Sequence, residues 1–199
     1  FPTSSYYDRV ASSVINNAIK KKNYAQLDAL FGENSNASAS ALTQIAGALG
    51  ENDSLLSKAH EWSNRALTKA NAINELTKPK FITNSEWKEN TRIAQGDANA
   101  TNGFILKRLN MNERALASFE KARTLLGDET PSDIYENMLE VMDGMGKQQE
   151  ALSLGDEAIR NSKTSPALLE QHKKLFDFVY HGTKSYDSSI ALLKNNAQT

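Results

Sequence analysis

The sequence predicts an all-α fold of about ten helices, arranged as a solenoid of antiparallel helical hairpins that runs through the chain as a single domain. Three observations carry that expectation. One helix-turn-helix pattern appears twice between about Gly96 and Asn161, and Ala115 and Ala151, which head the two second helices, stand 36 residues apart. Apolar residues recur at helical spacing through most of the 199 residues. Only four prolines interrupt them, with long stretches free of β-branched runs.

The repeated pattern has a packing rationale. Small residues at Gly103, Ala115, Ala122, Ala151 and Ala158 let short antiparallel helices approach closely, while Leu106, Phe119, Tyr135, Met138 and Met142 fill the space beside them. The segments LNMNERALASFEKA and MGKQQEALSLGDEAI both read as a turn followed by a second helix. They resemble the tetratricopeptide (TPR) family, whose hairpins repeat at roughly 34 residues. That resemblance implies a right-handed α-solenoid and a role in holding protein or peptide partners. A solenoid buries a continuous strip, because each repeat contacts only its neighbours.

Taken in order, the expected hairpins span about 6–32, 38–77, 84–126 and 131–163, with closing helices over 166–195. The first helix places Tyr7, Val10, Val14, Ile15 and Ile19 on one side, and Asn23 turns the chain into a short second helix with Tyr24, Leu27, Leu30 and Phe31. An Asn- and Ser-rich loop follows over 32–38. The second hairpin carries Leu42, Ile45, Ala46 and Leu49, then Ala59, Trp62, Ala66 and Leu67, and fits the repeat if its turn holds one extra residue.

Ala59 and Ala115 lie 56 residues apart, well over one repeat, so an insertion separates this hairpin from the next. Pro79 is expected to close the helix before the insertion. Thr83 and Glu86 form a capping-box signature, opening a long helix from near Asn84 to Leu109 with a possible kink at Gly96 and with Trp87 and Ile93 on its front half. Ser165 and Pro166 cap a later helix bearing Leu168, Leu169, Leu175, Phe176 and Val179. Gly182 ends it, and Tyr186, Ile190, Leu192 and Leu193 form a closing helix.

Composition narrows the function classes. A net charge of −1 and a pI near 6.4 argue against nucleic acid, which calls for a basic face. The Lys20-Lys21-Lys22 run is read as complementing a helix C-terminus. No apolar run approaches the roughly 20 residues needed to span a bilayer. Absence of cysteine excludes disulfides, thiolate nucleophiles and zinc-thiolate sites within these residues. The opening FPTSSYY has no initiator Met or signal segment, which suggests a mature or trimmed chain whose targeting information has been removed. Three Asn-x-Ser/Thr triplets, at Asn36, Asn52 and Asn99, are read as chance matches in an Asn-rich chain.

No catalytic constellation stands out. His60, His172 and His181 are scattered without metal-ligand spacing, and His60 and His172 are expected at the surface or at an interface. Asp133, Glu136, Glu140 and Asp143 share a helix face, where a solvated surface is the expected reading over an acid-base pair. No enzyme activity, cofactor or metal is therefore expected. Asn99 and Asn102 stand where large apolar residues would be usual. The expectation is that they face solvent; the alternative is a hydrogen-bonded junction with the preceding hairpin.

First helices of TPR hairpins line a concave groove, so the resemblance carries groove positions onto Phe104, Lys107 and Arg108 in the third hairpin and Asp133, Glu136, Glu140 and Asp143 in the fourth. Such a groove would hold an extended peptide by charge at both ends, unless the two patches pair with each other. The order of parts, including SEWKENTRIAQGDAN and KLFDFVYHGTKSYDSSIALL, also resembles the helical region preceding a thioredoxin-like domain in certain exported Bacteroidetes proteins. That narrower resemblance implies a periplasmic or cell-envelope location rather than a cytoplasmic one, and a covalently linked redox domain beyond Thr199. A helical glycan- or small-molecule-binding surface domain is the third reading, and an exposed aromatic platform around Trp62 and Trp87 would favour it.

Overall fold

A computed structural model describes residues 5–32 and 35–195, with side chains from Arg9 onward. Residues 33 and 34 of the expected loop, and the side chains of Tyr6 and Tyr7, lie outside the described residues. The chain is all-helical, with no strand among the described residues. Among the described residues the ten helices are α1 (Ser5–Lys20), α2 (Tyr24–Phe31), α3 (Ala39–Gly50), α4 (Leu56–Asn71), α5 (Asn84–Arg108), α6 (Asn112–Leu126), α7 (Ser132–Gly144), α8 (Gln148–Arg160), α9 (Pro166–Tyr180) and α10 (Tyr186–Asn195).

The helix ends follow from local chemistry. Thr83 and Glu86 satisfy each other's backbone N–H groups at the start of α5, and Ser165 accepts from the Leu168 N–H at the start of α9. Four of the turns share one geometry. A residue with positive φ stands at Lys22, Asn110, Gly146 or Ser162, and the next N–H reaches back to the carbonyl of Ala18, Leu106, Met142 or Ala158. This left-handed cap ties off orphan carbonyls and reverses the chain in few residues. The repetition at Asn110 and Gly146 reproduces the 36-residue offset of Ala115 and Ala151.

The α3–α4 connection departs from that turn. Five residues link these helices, Glu51 to Leu55, three of them in a 3-10 turn, against three residues in the α5–α6 link. Likewise α4 ends at Asn71, ahead of a separate 3-10 turn at Glu75–Thr77 that Asn74 caps, so Pro79 lies in the connection and does not close the helix.

Packing follows chain order. The closest pairings are α5 with α6 and α3 with α4, followed by α4 with α5, while the alternate helices α1, α3, α5, α7 and α9 touch in succession. Among the described residues two large apolar clusters and a small one of Ala39, Ala70 and Ala98 result, and α5 joins the large pair: Ile105 enters the N-terminal cluster, Leu106 the C-terminal one, and Phe104 packs against both. Gly103 makes the α5–α6 approach possible, because a Cβ there would lie 2.7 Å from the Phe119 ring. Within α1 the buried stripe is Ala11, Ile15 and Ala18, and Val10 is exposed, since small residues let α1 settle against α3. Leu30 and Leu192, counted among the apolar residues of their helices, are exposed as well.

The front half of α5 lies against α4 and α6. Arg92 donates to the Leu125 carbonyl at 2.6 Å and pairs with Glu89 and Glu129, and the Gln95 amide donates to the Ala70 carbonyl. The helical run continues unbroken through Gly96, whose missing side chain admits Leu126.

Asn99 and Asn102 are buried, which corrects the expectation that they face solvent. The Asn102 amide donates to Ser63 Oγ on α4 at 2.8 Å, and its carbonyl accepts from Ser118 Oγ on α6 at 2.9 Å. Asn99 donates to the Gln95 carbonyl of its own helix. Three helices are thus pinned by one side chain. Asn102→Leu strands the buried Ser63 hydroxyl and takes the partner of half-buried Ser118, and is expected to destabilise the chain by about 1–3 kcal/mol in urea denaturation. A loss under about 0.5 kcal/mol would show that these bonds contribute nothing net at the junction.

Candidate functional site

The seven groove residues named from sequence occupy α5 and α7, and most have partners within the chain. Lys107 pairs with Glu140 at 2.6 Å, so the basic and acidic patches do meet. Arg108 pairs with Asp53 at 2.6 Å, donates to the Gly50 carbonyl and lies over the Phe104 ring. Phe104 is half-buried, with Gly50 against its ring. Glu136 accepts from Ser165 Oγ, and Asp143 accepts from the Gln148 amide. Of the seven, Asp133 alone has no side-chain partner identified.

Asp133 opens onto a cleft of about 430 Å³ between α3, α5 and α7. Ser40, Thr43, Gln44 and Gly47 form the α3 wall, and Ala94, Asp97, Ala100 and Thr101 the α5 wall. Leu126, Pro131 and Ile134 close the third side. The order of the helices explains the cleft: α5 touches both α3 and α7, and the small residues Gly47, Ala94 and Ala100 on the α3 and α5 surfaces leave space between them.

Asp97 was not singled out by sequence reading, having neither a motif nor a charged neighbour to mark it. Its carboxylate reaches solvent, yet the cleft walls strip enough water to push its pKa above the ordinary carboxylate value. The unfolded chain therefore ionises this group first as pH rises. Asp97 opposes folding above the ordinary carboxylate range and is neutral below it. Asp97→Asn is expected to raise the melting temperature at neutral pH and leave it unchanged below the carboxylate range. A lower melting temperature at neutral pH would reveal a stabilising cation beside Asp97.

His172 is fully buried, which corrects its expected surface or interface position. Its Nε2 lies 2.8 Å from Asp156 on α8 and its Nδ1 lies 3.2 Å from the Tyr186 hydroxyl on α10. Gly155 makes room, since a Cβ there would lie 2.5 Å from His172 Cδ2. The Tyr186 hydroxyl donates to the Leu169 carbonyl at 3.0 Å, and burial with three nearby aspartates pushes its pKa up to about 12. His60 is half-buried on α4 beside Asn64, with its pKa lowered by burial and by Arg114. Among the described residues no group of three His, Asp or Glu side chains is placed to hold a metal ion, and no helix is long and apolar enough to cross a membrane.

No family model matches the chain, and neither a curated protein nor a solved structure matches it significantly.

Proposed function

We propose that the chain is a non-catalytic, TPR-like helical scaffold that binds an extended peptide or protein segment. In this reading its hairpins stack as a right-handed α-solenoid, and the cleft between α3, α5 and α7 is its concave face. The observation that carries it is the cleft itself, walled by successive alternate helices and lined with small and polar side chains. Large apolar residues that a core would consume are kept to its third side. Such a surface suits backbone and side-chain contacts to an extended segment better than it suits chemistry on a bound substrate.

The order of parts supports a second reading, in which this scaffold is the exported N-terminal arm of a thioredoxin-like redox protein. A Cys-x-x-Cys domain encoded after Thr199 in the parent reading frame would establish it. Trp62 is 1% exposed, so it forms no aromatic platform with Trp87 and the glycan-binding reading loses its marker.

Selection from a random displayed-peptide library tests the primary reading. Enriched peptides are expected to lose binding when the cleft is filled by Thr43→Trp or Thr101→Trp, two positions on opposite walls. Enrichment of peptides indifferent to both substitutions would refute the cleft as the binding face.

A further inference from the structure

α10 is held differently from the other helices. Among the described residues it has no buried side chain, whereas each of α1 to α9 carries buried ones. Tyr186, Ile190 and Leu193 stand at i, i+4 and i+7, so they form one stripe, and all three are half-buried against the C-terminal cluster. Asp187, Ser188, Ala191 and Leu192 are exposed. α10 is thus an amphipathic helix laid on the molecule and not built into it.

The surface beneath it belongs to α8 and α9, the two helices that α10 approaches most closely. His172 and Phe176 of α9 are buried there, and Gly155 of α8 leaves the room that His172 takes. The Tyr186 ring meets Phe176 edge-on with 5.3 Å between centroids, while its hydroxyl donates to the Leu169 carbonyl at 3.0 Å and lies 3.2 Å from His172 Nδ1. One aromatic anchor with a specific hydroxyl contact, followed one and two turns on by aliphatic side chains, is how an amphipathic helix fills a groove.

Two features make this seat separable from its occupant. The link over 181–185 opens on His181 and Gly182 with φ of 48° and 76°, which end α9 outright, so α10 can leave without unwinding it. The helices beneath have anchors of their own, since Ile159 of α8 and Leu168 and Leu175 of α9 are buried in the C-terminal cluster. A link this short holds α10 over its groove at an effective concentration on the order of millimolar. We propose that the α8–α9 face under α10 is a helix-binding groove and that α10 is its autoinhibitory occupant, displaced by a partner's amphipathic helix that carries a tyrosine followed at four and seven residues by aliphatic side chains. The groove lies on other helices than the α3, α5, α7 cleft, so the inference does not rest on the peptide-scaffold reading.

A fluorescein-labelled peptide of residues 183–195 supplies the competing helix, and its fluorescence anisotropy is read on the full chain. Ile190→Ser loosens the resident helix and leaves the groove intact, so this variant is expected to bind the peptide at least about fivefold more tightly than the unaltered chain. Tyr186→Phe, the milder change, should fall between the two. A control peptide carrying Tyr186→Ser and Ile190→Ser should bind none of them. Displacement also requires α10 to open while its neighbours stay folded, so its amide hydrogens should exchange at least about tenfold faster than those of α8 and α9. Equal affinity of the peptide for Ile190→Ser and the unaltered chain, no saturable binding to either, binding of the control peptide, or α10 exchange that keeps pace with α8 and α9 would each overturn the autoinhibited groove.

Discussion

Trp62→Ala is expected to destabilise the protein by about 3–5 kcal/mol, a large fraction of the roughly 5–15 kcal/mol that holds a typical domain together. The indole is 1% exposed and sits in the N-terminal cluster with Ile45, Leu49 and Ala59. Truncation removes its transfer energy and leaves a cavity that short helices with fixed turns cannot collapse to fill. A second loss follows from the first. Arg65 stacks over the ring at 4.4 Å from its centroid while donating to the Phe31 carbonyl at 2.7 Å, so the ring also steadies the contact between α4 and α2. Urea denaturation followed by circular dichroism measures the cost. A loss under about 1 kcal/mol would mean the second hairpin repacks freely, contrary to the fixed hairpin geometry described here.

His172→Ala is expected to cost about 2–4 kcal/mol, combining lost packing with two lost hydrogen bonds. The position is demanding because the ring is held from both sides: its Nε2 lies 2.8 Å from Asp156 and its Nδ1 3.2 Å from the Tyr186 hydroxyl, which also reaches the Leu169 carbonyl. The side chain of Asp156 is 34% exposed and recovers water when the ring is removed, which moderates the loss. Tyr186 loses one of its two polar contacts with α9 and keeps the other, to the Leu169 carbonyl, so α10 is held less firmly. Limited proteolysis across residues 181–185 should therefore accelerate in His172→Ala. Tyr186→Phe keeps the edge contact with Phe176 and should cost only about 1 kcal/mol. Equal costs for the two variants would show that the imidazole adds nothing beyond the tyrosine hydroxyl.

What the sequence disclosed and what it hid divide along a physical line. Helical periodicity, the Thr83–Glu86 capping box, the Ser165-Pro166 start and the 36-residue offset are local signals, and each reappears as a helix, a cap or a left-handed turn. Asn102 and His172 were misplaced because periodicity assigns polar residues outward. Their partners Ser63, Ser118, Asp156 and Tyr186 lie 14 to 39 residues away and carry no mark of the pairing. The groove residues show the same limit. Repeat register puts Lys107 and Arg108 on α5, but only the fold shows them engaged by Glu140 and Asp53, 33 and 55 residues distant. Asp97 is the converse case, an isolated acid whose raised pKa comes from a cleft that helices distant in sequence form around it.

Site-directed photocrosslinking of a selected peptide tests the central claim most directly. A benzophenone amino acid placed at Thr43 or Thr101 lies on the two long walls of the α3, α5, α7 cleft, whereas one at Thr124 lies on the exposed side of α6. The scaffold account predicts peptide crosslinks from positions 43 and 101 and none from 124. Crosslinks from 124, with none from the cleft walls, would place binding on another face and contradict the account.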